Sequence, residues 1–144
     1  ENTKPQKIFM LGGTGRTGLN FTKMALDAGH SVTAVVRREP AVAGTLATSG
    51  AVIGTGSSAE LGGAEAKEGT SQAHLVVVGP HDNLKVIVVP DQTKPENLKD
   101  HMAGHDCVIV TLGAFPTAGQ PFSLYSSAAA GYIPAMQANG ITRL

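Results

Sequence analysis

Apolar positions in this chain fall into short unbroken runs joined by segments of helical spacing. Ile8-Phe9-Met10-Leu11 runs without interruption into Gly12-Gly13, the pattern of a strand buried on both faces of a parallel sheet. From Arg16 the spacing becomes helical: Leu19, Phe21, Met24, Ala25 and Ala28 read as one apolar face, and Gly29 as the residue that ends the helix. Residues 31–36 read as a second strand. The strand–turn–helix–strand unit so formed has the length of a right-handed crossover.

Residues 41–72 break the pattern. Gly, Ala, Ser and Thr dominate and no period holds, so the segment reads as an insert or loop, with a weak helix over 59–68 as the alternative. Two β-rich runs follow, 75–78 and 86–89, separated by Gly79-Pro80-His81-Asp82-Asn83. The second is expected to be the third parallel strand, with the first as an optional antiparallel partner at its edge. Thr93-Lys94-Pro95-Glu96 predicts a helix start with Thr93 as cap and Glu96 closing a capping box. That helix should end near Gly104, and residues 107–112 form the fourth strand. A Pro- and Gly-rich loop over 115–121 precedes a helix over 123–139, kinked at Pro134 and closed by Gly140; the last residues, 141–144, read as the opening of a further strand. The order predicts one α/β domain over 1–144, a doubly wound parallel sheet of Rossmann type, incomplete at the C-terminus and carrying a long Gly/Ala/Ser-rich insert within 41–83.

Composition changes this picture little. The 144 residues hold 42% hydrophobic and 15% charged side chains with a formal net charge of zero, which suits a globular chain and argues against a duplex nucleic-acid binder. No apolar run is long enough to span a bilayer, and Glu1–Pro5 carries no apolar segment of a secretory signal. Cys107 is the only cysteine, so a reducing, cytoplasmic setting is expected, with the thiol inert inside its apolar run. The five histidines lack ligand-like companions and read as surface or turn residues. His101 and His105 are spaced like a metal pair, but Gly104 intervenes, and no metal site is expected.

The chemistry is concentrated in Gly12-Gly13-Thr14-Gly15-Arg16-Thr17-Gly18, a Gly-x-x-Gly-x-x-Gly run with a strand before it and a helix after it. Gly12 lets the chain leave the strand, Gly15 lets the backbone approach a pyrophosphate, and Gly18 allows close helix–strand packing. The free N–H groups of the first helical turn then face an anion. No Gly-Lys-Ser/Thr follows, so this is not a nucleotide-triphosphatase loop. After the second strand come Arg37 and Arg38, which suit the 2′-phosphate of NADP; Glu39 competes, and would favour NAD if it reached the ribose. Asp91 and Gln92 follow the third strand, where Asp91 is either a turn residue or an acceptor for the adenine amino group. Leu112 and Gly113, after the fourth strand, should pass near the nucleoside.

Residues 7–18, the run 32–37, Asp91 and the run 104–113 together resemble the atypical short-chain dehydrogenase/reductases, in particular their flavin and biliverdin reductase branch and more loosely the NmrA-like proteins. The resemblance implies that Gly12, Thr14, Gly15, Arg16, Thr17 and Gly18 hold the pyrophosphate, Arg37 the 2′-phosphate, Asp91 the adenine, and Leu112 with Gly113 the nucleoside. It also implies hydride transfer from NADPH to a flavin or open-chain tetrapyrrole, by a monomer that needs neither nucleic acid nor membrane. The family's Tyr-x-x-x-Lys pair is absent: Ala129 and Met136 stand four residues after Tyr125 and Tyr132. The expectation is therefore a cofactor-binding part of a reductase whose catalytic residue is not in this chain, or an NADP-binding sensor of NmrA-like type.

Overall fold

A computed structural model describes residues 4–13, 16–37, 53–55, 76–78, 81–113 and 123–144. The described elements are β1 (Lys7–Leu11), α1 (Arg16–Asp27), β2 (Ser31–Val36), β3 (Ile53–Thr55), β4 (Val76–Val78), β5 (Leu84–Val88), α2 (Pro95–Met102), β6 (Cys107–Val110) and α3 (Leu124–Ala138).

Four strands form one parallel sheet in the order β5-β2-β1-β6. The apolar run of β1 is continuous because both faces of the sheet are covered. Ile8 and Met10 point to one side and pack with Ala25 and Leu26 of α1, whereas Phe9 and Leu11 point to the other and pack with Leu98 and Met102 of α2 and Met136 of α3. Helices on both faces of a parallel sheet make the fold doubly wound and Rossmann-like.

The predicted face of α1 holds in part: Ala25 is buried and Phe21 packs against the core. Met24 is 70% exposed and Ala28 is exposed, while the buried stripe is Gly18, Thr22, Ala25 and Leu26. Thr22 can be buried because its hydroxyl donates to the Gly18 carbonyl (2.8 Å) and also meets the Met10 sulfur (3.1 Å). Gly29, with φ +83°, ends α1 as expected.

The two β-rich runs do not form a hairpin with each other. β4 pairs antiparallel with β3, which lies inside the stretch read as loop, and both strands of this ribbon lie against α1. Among the described strands β5 pairs with β2 alone, in the parallel register Val32↔Leu84 to Val36↔Val88. A parallel pair needs a crossover over one face of the sheet, and the β3–β4 ribbon lies on the α1 face along that route. The alternative helix at 59–68 and the loop at 115–121 lie outside the described residues.

Two further expectations change at the helices. Thr93 does not cap α2; the N-cap position is Lys94, without a side-chain bond, and Thr93 is bonded instead to Asp91. α3 remains a single helix through Pro134. Residues 141–144 are not a strand, although the Arg143 carbonyl accepts a bond from the Val108 N–H of β6 (3.0 Å). Among the described residues no helix is long and apolar enough to cross a membrane.

Candidate functional site

β1, β2, β5 and β6 end at one edge of the sheet, and the segments leaving them surround a cavity of about 390 Å³. Its lining comes from Gly12 after β1, Val35 to Arg37 at the end of β2, Pro90 to Thr93 after β5 and Thr111 to Gly113 after β6, with Leu124 and Ala128 of α3 above. The chain leaves β1 for α1 on one face and β6 for α3 on the other. The crevice between β1 and β6 is therefore the switch point at which open α/β sheets hold ligands.

The glycines make this crevice possible. Gly12 has φ +84°, and a Cβ there would stand 2.8 Å from the backbone of Thr111 and Leu112. A Cβ on Gly18 would stand 2.2 Å from the Gly12 carbonyl oxygen, so α1 touches the turn directly. Thr111 ties the other side: its N–H donates to the Leu11 carbonyl (2.9 Å) and its hydroxyl to that of Gly12 (3.0 Å). These contacts hold the ends of β1 and β6 together below the cavity.

Of the sequence-derived candidates, Gly12, Arg37, Asp91, Gln92, Leu112 and Gly113 line this one cavity. Gly18 is buried beneath it, and Thr17 is exposed on the first turn of α1 and is not among its lining. Thr14, Gly15 and Arg38 lie outside the described residues, as do the competitor Glu39 and the side chain of Arg16.

Charge is placed unevenly around the cavity. Arg37 is exposed at the end of β2, with its guanidinium available to an anion. The Asp91 carboxyl is held below its usual range, first by the Thr93 hydroxyl and then by the Thr93 N–H, with a smaller contribution from Lys94. Asp91 is thus an ionised carboxylate already engaged by its own loop. Gln92 is 92% buried, the complement of its 8% exposure, and meets no side-chain partner among the described residues. Burial pushes the Cys107 thiol up, keeping it protonated and remote from this chemistry.

Sequence reasoning missed several contributors, Thr111, Leu124 and Ala128 among them. Thr111 carried the signal of a polar residue at the end of an apolar strand. Leu124 and Ala128 gave none, because their role depends on how α3 docks. Gly131 fixes that docking: a Cβ there would stand 2.1 Å from the Gln92 carbonyl oxygen, so α3 presses directly on the loop after β5.

His105, read as a surface or turn residue, is a half-buried strut at the opposite edge of the sheet. Its Nδ1 donates to the Met102 carbonyl (3.0 Å), which leaves Nε2 to accept from the Thr33 hydroxyl (2.8 Å). Its ring meets Phe9 edge-on at 5.2 Å.

Comparison with solved structures places the chain among Rossmann-type domains. One neighbour is the oxidoreductase ylbE from Lactococcus lactis, with a TM-score of 0.55 at 18% identity over 95% of this chain and 45% of that one. A second is yeast methylglyoxal/isovaleraldehyde reductase Gre2 complexed with NADPH, with a TM-score of 0.58 at 12% identity over 92% of this chain and 33% of that one. The Bordetella bronchiseptica enzyme WbmH in complex with NAD+ gives 0.54 at 14% identity over 96% and 37%. The chain therefore spans less than half the length of each. No protein-family model matches the sequence, and no curated protein sequence does.

Proposed function

We propose that this chain forms the NADPH-binding part of a reductase. The observation that carries the proposal is the convergence of Gly12, Arg37, Asp91, Gln92, Leu112 and Gly113 on one cavity at the sheet's switch point. The residues fit a dinucleotide. A glycine turn enters α1 where backbone N–H groups can meet a pyrophosphate, apolar walls at Val35, Val36 and Pro90 suit a flat base, and Arg37 stands where a 2′-phosphate would be recognised. That Gre2 is a reductase complexed with NADPH, and WbmH is complexed with NAD+, supports a nicotinamide dinucleotide.

When bound, the nicotinamide supplies a hydride. The chain's own part is to hold and orient the dinucleotide. Gly12 and Gly18 keep the turn close to the sheet, Thr111 fixes β6 against it, and Leu112 and Gly113 line the cavity at the end of β6. The flavin or open-chain tetrapyrrole acceptor follows from the resemblance of residues 7–18, 32–37 and 104–113.

Titration calorimetry with NADPH and NADH tests the cofactor. NADPH is expected to bind more tightly, and Arg37→Ala to weaken NADPH by about 10- to 100-fold while moving NADH less than about twofold. Equal or tighter binding of NADH by the unaltered chain would overturn the NADPH assignment. NADPH oxidation with FMN, FAD or biliverdin tests the reductase, and tight binding without turnover would favour an NADP-binding sensor.

A further inference from the structure

Besides the exposed Arg37, the cavity is lined by a buried polar side chain without a hydrogen-bond partner among the described residues. Gln92 is only 8% exposed, and its side-chain amide meets no hydrogen-bond partner among the described residues. Among the described residues no side-chain nitrogen or oxygen is both sealed from solvent and unpaired, so the amide keeps some exposed surface, and Gln92 lines the cavity. Its place is fixed from behind. Gly131 of α3 lies so close that a Cβ would stand 2.1 Å from the Gln92 carbonyl oxygen, and Asn97 Nδ2 donates to the preceding carbonyl of Asp91 (2.9 Å).

Asp91 is in the opposite condition. Its Oδ1 accepts both the Thr93 N–H (3.0 Å) and the Thr93 hydroxyl, and its Oδ2 lies 3.9 Å from Lys94 Nζ. Oδ1 is thus engaged by the turn that shapes the loop, which leaves Oδ2 as the carboxylate's remaining acceptor.

We infer that the Gln92 amide is the main reader of the purine edge of the bound dinucleotide. The inference rests on the dinucleotide reading above and makes Asp91, to which resemblance assigns the adenine, the lesser contact. A primary amide presents a donor and an acceptor side by side, the complement of an adenine edge with an amino donor beside a ring-nitrogen acceptor. A carboxylate offers acceptors alone. Val35, Val36 and Pro90 supply apolar walls in the same cavity, as a flat heteroaromatic ring requires. An amide can also turn about its last bond and meet hypoxanthine, where an oxo acceptor and a ring N–H replace that pair.

The test is calorimetry with NADPH and with its hypoxanthine analogue, on the unaltered chain and on Gln92→Met, Gln92→Glu and Asp91→Asn, with thermal melting of each free protein. Gln92→Met keeps the side chain's length and removes the amide; it is expected to weaken both nucleotides about tenfold. Its ligand-free melting point should stay close to that of the unaltered chain, because no hydrogen bond within the described fold is removed. Gln92→Glu, an acceptor only, should lose NADPH affinity to a similar degree. Asp91→Asn retains Oδ1 for Thr93 and should cost less than about twofold, and the unaltered chain should take the hypoxanthine analogue within about threefold of NADPH. A folded Gln92→Met protein that binds NADPH undiminished overturns this inference alone, as does a tenfold loss in Asp91→Asn. An unaltered chain that binds no nicotinamide dinucleotide overturns the dinucleotide reading and this inference with it.

Discussion

The two edges of the sheet treat polar groups in opposite ways. At the edge where the strands begin, polar side chains bond to the fold: Asp106 Oδ2 accepts the Lys7 N–H (2.7 Å), His30 Nδ1 accepts the Gln6 N–H (3.1 Å), Arg143 donates to Gln6 Oε1 (3.0 Å), and His105 spans Met102 and Thr33. At the edge where the strands end, glycines stand at the closest backbone contacts, and Gln92 lines a cavity with its amide unpaired among the described residues. One edge spends its hydrogen bonds on stability. The other spends only part of them, through Thr111 and Asp91, and leaves Arg37 and Gln92 without side-chain partners among the described residues.

The comparison is broken most severely by filling the glycine contacts. Gly18→Ala places a carbon against the Gly12 carbonyl and Gly131→Ala places one against the Gln92 carbonyl, and backbone cannot yield as a flexible side chain can. Each is expected to cost about 1–3 kcal/mol in urea unfolding, with Gly18→Ala at the upper end, and both should weaken dinucleotide binding as well. At the other edge, His105→Leu removes the strut and is expected to cost about 1–2 kcal/mol while leaving the affinity of the folded protein for NADPH within about twofold. Loss of binding as large as that of the cavity variants would show that the edges are not independent.

The smallest effect is a pH dependence. Burial holds His105 below its ordinary 6.5, and Lys7 and Lys85 push the same way. The unfolded chain therefore binds the proton more readily than the folded one. The contribution of His105 to stability is complete above its unfolded value of 6.5 and is lost as pH falls toward the lowered folded value. Urea midpoints measured across that window should fall with acidification, and less steeply in His105→Leu. Equal slopes would remove His105 as the cause.

Much of the fold could be read from local pattern. β1, β2 and β6 are short apolar runs, and in them burial follows sequence directly. The errors lie where a distant partner decides. Thr22 looks polar and is buried because Gly18 and Met10 satisfy it, which turns the face of α1 away from Met24. Thr93 looks like a helix cap, but Asp91 competes for it and wins. β4 could have paired with β5 and pairs with β3 instead, across a stretch with no periodicity. At the site, the spacing marked Gly12, Arg37, Asp91, Gln92, Leu112 and Gly113, which line the cavity, and also Thr17, which is not among the lining. It could not show that Asp91 was already engaged and Gln92 was not, since that depends on which neighbour each side chain meets.

The strand register also orders events in time. Lys7 meets Ser31, Val32 meets Leu84, and Ile8 meets Cys107, so the sheet closes loops of steadily increasing length. The entropic toll of closure rises with loop length, and the shortest loop should close first. The glycine turn and Arg37 belong to that early unit, whereas Gln92 arrives with β5 and Thr111 with β6. During folding, the anion-facing part of the cavity is expected to exist before the wall that reads the base.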